Sequence, residues 1–248
     1  MISGLTVNVG AFKSNSACVI IPTLNEGQSI AELIDEIEEI KSVDHVILVD
    51  DNSTDNTLPI VQELMKTYRN ISLIRRKNKK GIGSAITEGM TKSLTLGPLP
   101  DYVITMDADL SHDPRIIPEL IRHSVKVESD VAIASRYISD GSITGWSIYR
   151  KVISASANAL TRFVLRLPVK DCTSGFKCYT RHAIKTLLPA LKGEGYEFQI
   201  ETLHEASRKH LILTEIPMTF SERRGGRSKL GKKEVLRFLL YLIRNVLK

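Results

Sequence analysis

Aromatic residues make up only 6% of the 248-residue chain, with a single Trp and six Phe. No basic run is interleaved with aromatics, which argues against a platform that stacks single-stranded nucleic acid; no nucleic-acid partner is expected. Cysteine is scarce, limited to Cys18, Cys172 and Cys178. The number is odd and the Cys172-x5-Cys178 spacing fits no usual zinc site, so reduced thiols of a cytosolic protein are the simplest reading. No stretch reaches the ~18–20 apolar residues that cross a bilayer. Residues 1–16 lack the charged start and apolar block of a secretory leader. These absences predict a cytoplasmic protein, soluble or peripheral. Repeats, low-complexity tracts and Pro/Ser-rich linkers are also missing. The simplest division is an N-terminal extension over 1–16, one domain over 17–231 and a terminal helix over 232–248.

What is present is ordinary in bulk, 42% hydrophobic and 25% charged, and long enough to bury a sizeable core. The formal charge of +6 points to an anionic partner, and by charge alone nucleic acid, a nucleotide sugar and an anionic membrane surface would all fit. Short apolar runs at Ala17 to Ile21, His45 to Val49, Ile71 to Ile74, Tyr102 to Met106 and Val131 to Ala134 read as buried strands. Between the first two, Ile30, Leu33, Ile34, Ile37 and Ile40 form one helical face opposite a row of Asp and Glu. Asn25 followed by Gln28 resembles a capping box for that helix. Further helices are predicted after Asp55 and after Gly83. The alternation calls for an α/β fold, a mostly parallel sheet with helices on both faces and ligands at the carboxyl ends of the strands. The second half is less regular. Helices are predicted over Ile148–Leu167, Arg181–Leu191 and Phe198–Arg208, then a strand over Leu211–Ile216, a basic Gly-rich loop over Glu222–Gly231 and a last helix to Lys248.

The polar clusters fall at the predicted strand ends. Asp107 and Asp109 follow Tyr102 to Met106 and, being one residue apart in extended chain, face the same side. Two like charges so placed need a cation or strong donors between them. A hard divalent ion carrying a phosphorylated substrate meets that need, and Mg2+ or Mn2+ is the expected cofactor; a solvated acidic turn is the bland alternative. Asp50 and Asp51 end the second run, with Asp51 the better ligand and Ser53, Thr54 and Asp55 better suited to capping the next helix. Lys77 to Gly83 lacks the Walker spacing and reads as a loop opening a helix. Arg150 and Ser154 are four apart on a predicted helix and share a face that Asn158 and Arg162 continue.

Pro22-Thr23-Leu24-Asn25-Glu26, Asp50-Asp51-Asn52-Ser53, Gly81-Ile82-Gly83-Ser84-Ala85 and Asp107-Ala108-Asp109 together resemble the family two inverting glycosyltransferases of GT-A, Rossmann-like fold. Ser135-Arg136-Tyr137, Gly145-Trp146 with Arg150-Lys151, Asp171 with Ser174-Gly175-Phe176, Gly195 to Phe198 and Phe220 to Leu230 narrow the resemblance to the dolichyl-phosphate (polyprenyl-phosphate) mannosyltransferases, over roughly residues 17 to 240. The resemblance implies an enzyme peripheral on the cytosolic face of a membrane that transfers mannose from GDP-mannose to the phosphate of a dolichol or polyprenol lipid. It also implies roles. Asp107 and Asp109 hold metal and donor diphosphate, with Ser111 at the metal site. Asp51 meets the base, and Pro22 and Glu26 line the nucleoside pocket. Arg136, Arg150 and Ser154 hold the acceptor phosphate, and Arg223 and Lys229 close over the phosphates. Asp109, Arg136 and Arg150 are the expected catalytic residues.

An acceptor phosphate is already anionic and needs no general base, so the task would be to offset repulsion between two anions and stabilise the leaving nucleotide. The pattern departs from many relatives at Leu24, where they carry Tyr, which leaves the base open. A polyprenyl-phosphate glucosyl- or N-acetylhexosaminyltransferase using a UDP-sugar is the nearest alternative, ahead of a nucleotidyltransferase or a non-catalytic scaffold. The final helix pairs a broad apolar face with a basic stripe, as membrane-surface helices do; packing against the domain is equally compatible. Relatives differ in having membrane helices or a separate membrane-anchoring subunit.

Overall fold

The computed structural model describes residues 15–223 and 231–246, apart from the side chains of 232, 233 and 246. The chain runs β1 (Ala17–Thr23), α1 (Ile30–Glu38), β2 (Val43–Asp50), α2 (Thr57–Thr67), β3 (Ile71–Arg75), α3 (Ile82–Ser93), β4 (Tyr102–Thr105), α4 (Ile117–Val127) and β5 (Val131–Ser135). It continues through β6 (Ser142–Ile143), α5 (Ile148–Leu165), β7 (Lys177–Thr180), α6 (Arg181–Leu187), α7 (Phe198–Arg208), β8 (Leu213–Pro217), β9 (Thr219–Phe220) and α8 (Lys232–Val246). Seven strands form one sheet in the order β3-β2-β1-β4-β7-β5-β8, and β6 and β9 pair in a small parallel ribbon. All neighbours in the large sheet are parallel except those of β7, which is antiparallel to both β4 and β5. The predicted α/β class is therefore observed, with one reversed strand inserted at its centre.

Buried Val and Ile on both faces of β1 and β2 explain why these strands read as continuous apolar runs. On one face α1, α2 and α4 supply Ile30, Leu33, Val61 and Leu120; on the other α3, α6 and α7 supply Ile86, Leu187 and Leu203. Each such side chain contributes about 1.5–3 kcal/mol when fully buried. The crossover rule places the functional loops after β1, β2 and β4 at one edge, and the order reverses around β1 and β4.

The structure corrects several local expectations. Asn25 caps nothing in α1, whose first turn has Ser29 at the cap position without a side-chain bond. Instead Asn25 adopts φ 56° and its Oδ1 accepts from the Thr54 N–H at 2.8 Å, tying the β1 loop to the β2 loop. Asp55 does serve the start of α2, accepting from the Thr57 N–H and hydroxyl. Ser53 bonds Asp50 and the Asn25 N–H instead. Helix α6 stops at Leu187, two residues before Pro189, which has no N–H to continue it. Among the described residues no helix is long and apolar enough to cross a membrane.

Candidate active site

After β4, Met106 and Ala108 are buried in the core. The alternation turns Asp107 and Asp109 the other way, into a cleft over the ends of β1, β2 and β4. Asp107 keeps a third of its side chain exposed, whereas Asp109 is nearly enclosed. The Ser111 N–H and hydroxyl donate to Asp109 Oδ1 at 3.1 and 2.5 Å, and Arg223 lies 3.5 Å from Oδ2. Leu110, at φ 59°, reverses the backbone directly after the pair; such strain in a non-glycine residue persists where surrounding structure fixes it. His112 holds the turn from below. Its Nδ1 accepts from the Asp107 N–H at 3.1 Å, and its ring stacks on Phe176 and meets the edge of Phe220. Complete burial lowers its pKa from the usual imidazole value despite the raising influence of Asp107 and Asp109, so the neutral ring carries its proton on Nε2, 4.0 Å from Asp107 Oδ2.

The same cleft is lined by Pro22 and Glu26 from the β1 end, Asp51 from the β2 end and Arg223 from the segment after β9. Every predicted donor-side residue but one is thus brought together; Lys229 lies outside the described residues. Arg223 arrives because β9 pairs with β6 and the Ser221 N–H donates to the Ser111 carbonyl, laying that segment over the Asp107–Asp109 turn. Asp51 is firmly held. Its carboxylate accepts from the Lys80 and Gly81 N–H groups, each at 2.9 Å, and pairs with buried Arg76 at 3.0 Å. The Gly83 and Ser84 N–H groups donate to the Glu194 carbonyl. The 77–84 segment therefore directs four backbone donors at protein oxygens and opens α3.

Around the other side of Asp109 lies a group of cations. Arg136, buried, makes a fork to Asp171 through Nε and Nη2 at 2.7 Å each, and Nη2 also donates to Thr173 at 2.8 Å. Burial works against this charge, but the bonds to Asp171 more than offset it and the net pKa lies above the usual value. Removing either partner would leave an uncompensated buried charge, worth about 3–5 kcal/mol. Arg136 is thus already paired with Asp171. Arg150 sits 3.8 Å over the Trp146 ring and reaches Glu222 only at 3.8 Å, with both side chains largely exposed. Its pKa is lowered first by burial and then by the nearby charges of Arg223 and Arg136. Ser154, half-buried on α5, does not line the cleft; its carbonyl accepts from Asn158. Arg162 points to solvent.

Three contributors were not singled out from sequence. Tyr196 and Glu234 line the cleft, the Tyr196 N–H donating to Glu234 at 3.1 Å, so α8 closes one wall. Burial, then the Asp107 charge, pushes the Tyr196 hydroxyl pKa up. Tyr196 lay within a recognised motif, but nothing local marked its orientation. Arg76 follows β3, next to the Asp51 strand end, and that adjacency was its only signal. The cysteines stay out of this chemistry: all three are buried free thiols with values pushed up to about 12 by burial.

Among the described residues no group of three or more His, Cys, Asp or Glu is disposed to hold a metal ion. Two carboxylates at a strand end fit a small hard cation that takes its remaining ligands from substrate phosphates and water, which is the habit of Mg2+. The approach of Arg223 to Asp109 marks the same demand for positive charge.

The dolichol-phosphate mannosyltransferase of Pyrococcus furiosus is 35% identical over 230 residues, covering 91% of this chain and 62% of that protein. The polyprenol monophosphomannose synthase of Mycolicibacterium smegmatis is 32% identical over 219 residues, 88% of this chain and 82% of that one. The chain thus spans less than two thirds of the first relative's length. Glucosyl-3-phosphoglycerate synthase from Mycobacterium tuberculosis, solved with Mn2+, UDP and phosphoglyceric acid, superposes with a TM-score of 0.66 over 94% of this chain and 78% of that one, at 17% identity. That likeness is one of fold, a GT-A-like mostly parallel sheet. The glycosyl transferase family 2 model matches residues 18–188, the span that holds β1 to α6 and the Asp107–Asp109 turn, and the chain belongs to glycosyl transferase family 2.

Proposed function

We propose that this cleft transfers mannose from GDP-mannose to the phosphate of a polyprenyl lipid, releasing GDP and inverting the anomeric carbon. The observation that carries the reading is the juxtaposition of Asp107 and Asp109 with Arg223 on one side and the Arg136–Arg150 group on the other. Two anions, a donor diphosphate and an acceptor phosphate, can be held at adjoining positions. The names of the two relatives support the choice of sugar and acceptor.

Pro22, Glu26 and Asp51 would receive the nucleoside. The Asp107 and Asp109 carboxylates would hold a divalent cation, Mg2+ or Mn2+, with Ser111 fixing the Asp109 rotamer. When bound, that ion supplies charge neutralisation for the departing diphosphate. Arg223 and Lys229 would add to it. Arg150 would meet the acceptor phosphate, its approach set by the Trp146 ring; Arg136 and Ser154 would hold that wall. The nucleophile is already anionic near neutral pH, so no side chain has to remove a proton. Buried, neutral His112 is consistent with a positioning part. The acceptor implies a membrane surface, with or without an anchoring subunit, and a place on its cytosolic side.

Calorimetric titration of the full chain with GDP-mannose and with UDP-glucose, each with Mg2+ and with EDTA, tests the donor side. Metal-dependent binding of GDP-mannose is expected. Preference for UDP-glucose would replace the donor, and binding of neither would overturn the assignment.

A further inference from the structure

Asp50 and Asp51 end the same strand but are used differently. Asp50 is consumed inside the protein by the Thr23 hydroxyl and by the N–H and hydroxyl of Ser53. Asp51 lines the cleft. A carboxylate offers about four lone-pair positions, and the protein fills most of those on Asp51. Oδ1 accepts from the Lys80 N–H at 2.9 Å and lies 3.0 Å from Arg76 Nη1, while Oδ2 accepts from the Gly81 N–H at 2.9 Å. Arg76 is itself fixed. It is buried, its Nη2 donates to the Ser84 hydroxyl at 2.5 Å, its Nη1 to the Gly81 carbonyl at 3.3 Å, and its Nε lies 3.4 Å from Glu88. A single acceptor position is left on Asp51, and it belongs to Oδ2.

That vacancy limits what a base can present to it. Leu24, Ile82 and Ala85 give this end of the cleft apolar surface that suits any flat ring, so discrimination falls to the polar groups. Guanine carries its N1–H and a 2-amino N–H side by side, and holding both takes a place on each carboxylate oxygen. Oδ1 has none to give. The N1–H alone can be held, and hypoxanthine and uracil offer the same N–H beside a ring carbonyl. Adenine and cytosine present a lone pair at that point, which a carboxylate oxygen repels. Lys79, on the loop that grips Asp51, also lines the cleft and is a cation suited to the carbonyl oxygen next to that N–H.

We propose that Asp51 reads the donor's base through one N–H only. The site then takes bases with an N–H beside a ring carbonyl as a class and leaves the 2-amino group of guanine unread, and Arg76 is the residue that sets this limit by occupying Oδ1. The proposal rests on the nucleotide-sugar reading of the cleft and names the part of the base that is recognised.

Calorimetric titration of the full chain with GDP, inosine diphosphate, ADP and CDP, each with Mg2+, tests it. GDP and inosine diphosphate are expected to bind within ~3-fold of each other. ADP and CDP are expected to bind at least ~10-fold more weakly, the scale of one hydrogen bond to a charged group. Arg76→Met frees a place on Oδ1 and should raise the preference for GDP over inosine diphosphate to ~10-fold, the scale of a bidentate pair. General loosening of the loop would weaken both nucleotides and leave their ratio alone. A parent that prefers GDP over inosine diphosphate by ~10-fold or more would overturn the proposal and leave the GDP-mannose reading standing. ADP bound as tightly as GDP would overturn it too, as would a folded Arg76→Met protein that keeps the parent's ratio. If Arg76→Met does not fold, the parent's comparison of the four nucleotides decides alone. Binding of none of them would remove the nucleotide-sugar reading and this proposal with it.

Discussion

Lys177 has no exposed surface, yet it lies at the centre of the sheet beneath the site. Its Nζ donates to the Gln199 carbonyl at 3.0 Å and to its side-chain oxygen at 2.6 Å. Burial pulls its pKa from 10.5 to about 7, against the opposing influence of Asp171. Between those two values the native protein has lost a proton that the unfolded chain still holds, so this group makes stability rise with pH from about 7 towards 10.5. In Lys177→Met that contribution vanishes. Denaturant unfolding followed across this range should show the parent gaining stability relative to the variant, and parallel curves would remove the assignment. A Lys in a short β-rich stretch is an ordinary surface residue in sequence, which is why this one gave no sign of its burial.

Elements were legible where the chain repeats a single physical pattern. The runs that became β1, β2, β3, β4 and β5 are apolar because helices cover both sheet faces, and α1 shows its inward stripe at every turn. Strand β7 was not read. Lys177-Cys178-Tyr179-Thr180 is short, contains a charge and follows a loop, and only tertiary pairing with β4 and β5 makes it a strand. Asn25 misled for a related reason: its side chain resembles a cap locally but is used by a loop that lies 29 residues away. Helix α5 was placed almost to the residue, but the direction of its apolar face depends on the Asp171–Thr173 loop packed beneath it. The contact of α3 with the 193–198 segment provides a test at this scale. A Cβ on Gly83 would stand 2.6 Å from Phe198 Cβ and closer still to the Gly193 carbonyl oxygen. Gly83→Ala should therefore cost about 1–3 kcal/mol. Because Gly195 and Tyr196 line the cleft, donor affinity should fall with it. A thermal midpoint and a GDP-mannose affinity both equal to the parent's would show that this packing is slack.

The whole molecule places opposite requirements at one edge of the sheet. Acidic strand ends after β2 and β4 meet arginines brought from β5, α5 and the segment after β9, and the net charge of +6 favours anionic substrates as a field. The carboxylate pair and Asp51 could be read from sequence because strand ends announce themselves. The pairing of Arg136 with Asp171 and the wall from α8 could not, since each joins segments at least 35 residues apart. The central claim is that this edge moves mannose onto a lipid phosphate by way of the Asp107–Asp109 pair. The direct measurement is transfer of labelled sugar from GDP-mannose to dolichyl phosphate in detergent, run with Mg2+ or Mn2+, with EDTA, and with Asp107→Ala. Label is expected in the organic phase only with metal and the parent chain, with the variant down by at least ~10³-fold, the scale of several kcal/mol of charge stabilisation. Equal transfer by Asp107→Ala, or transfer that EDTA leaves intact, would contradict the account.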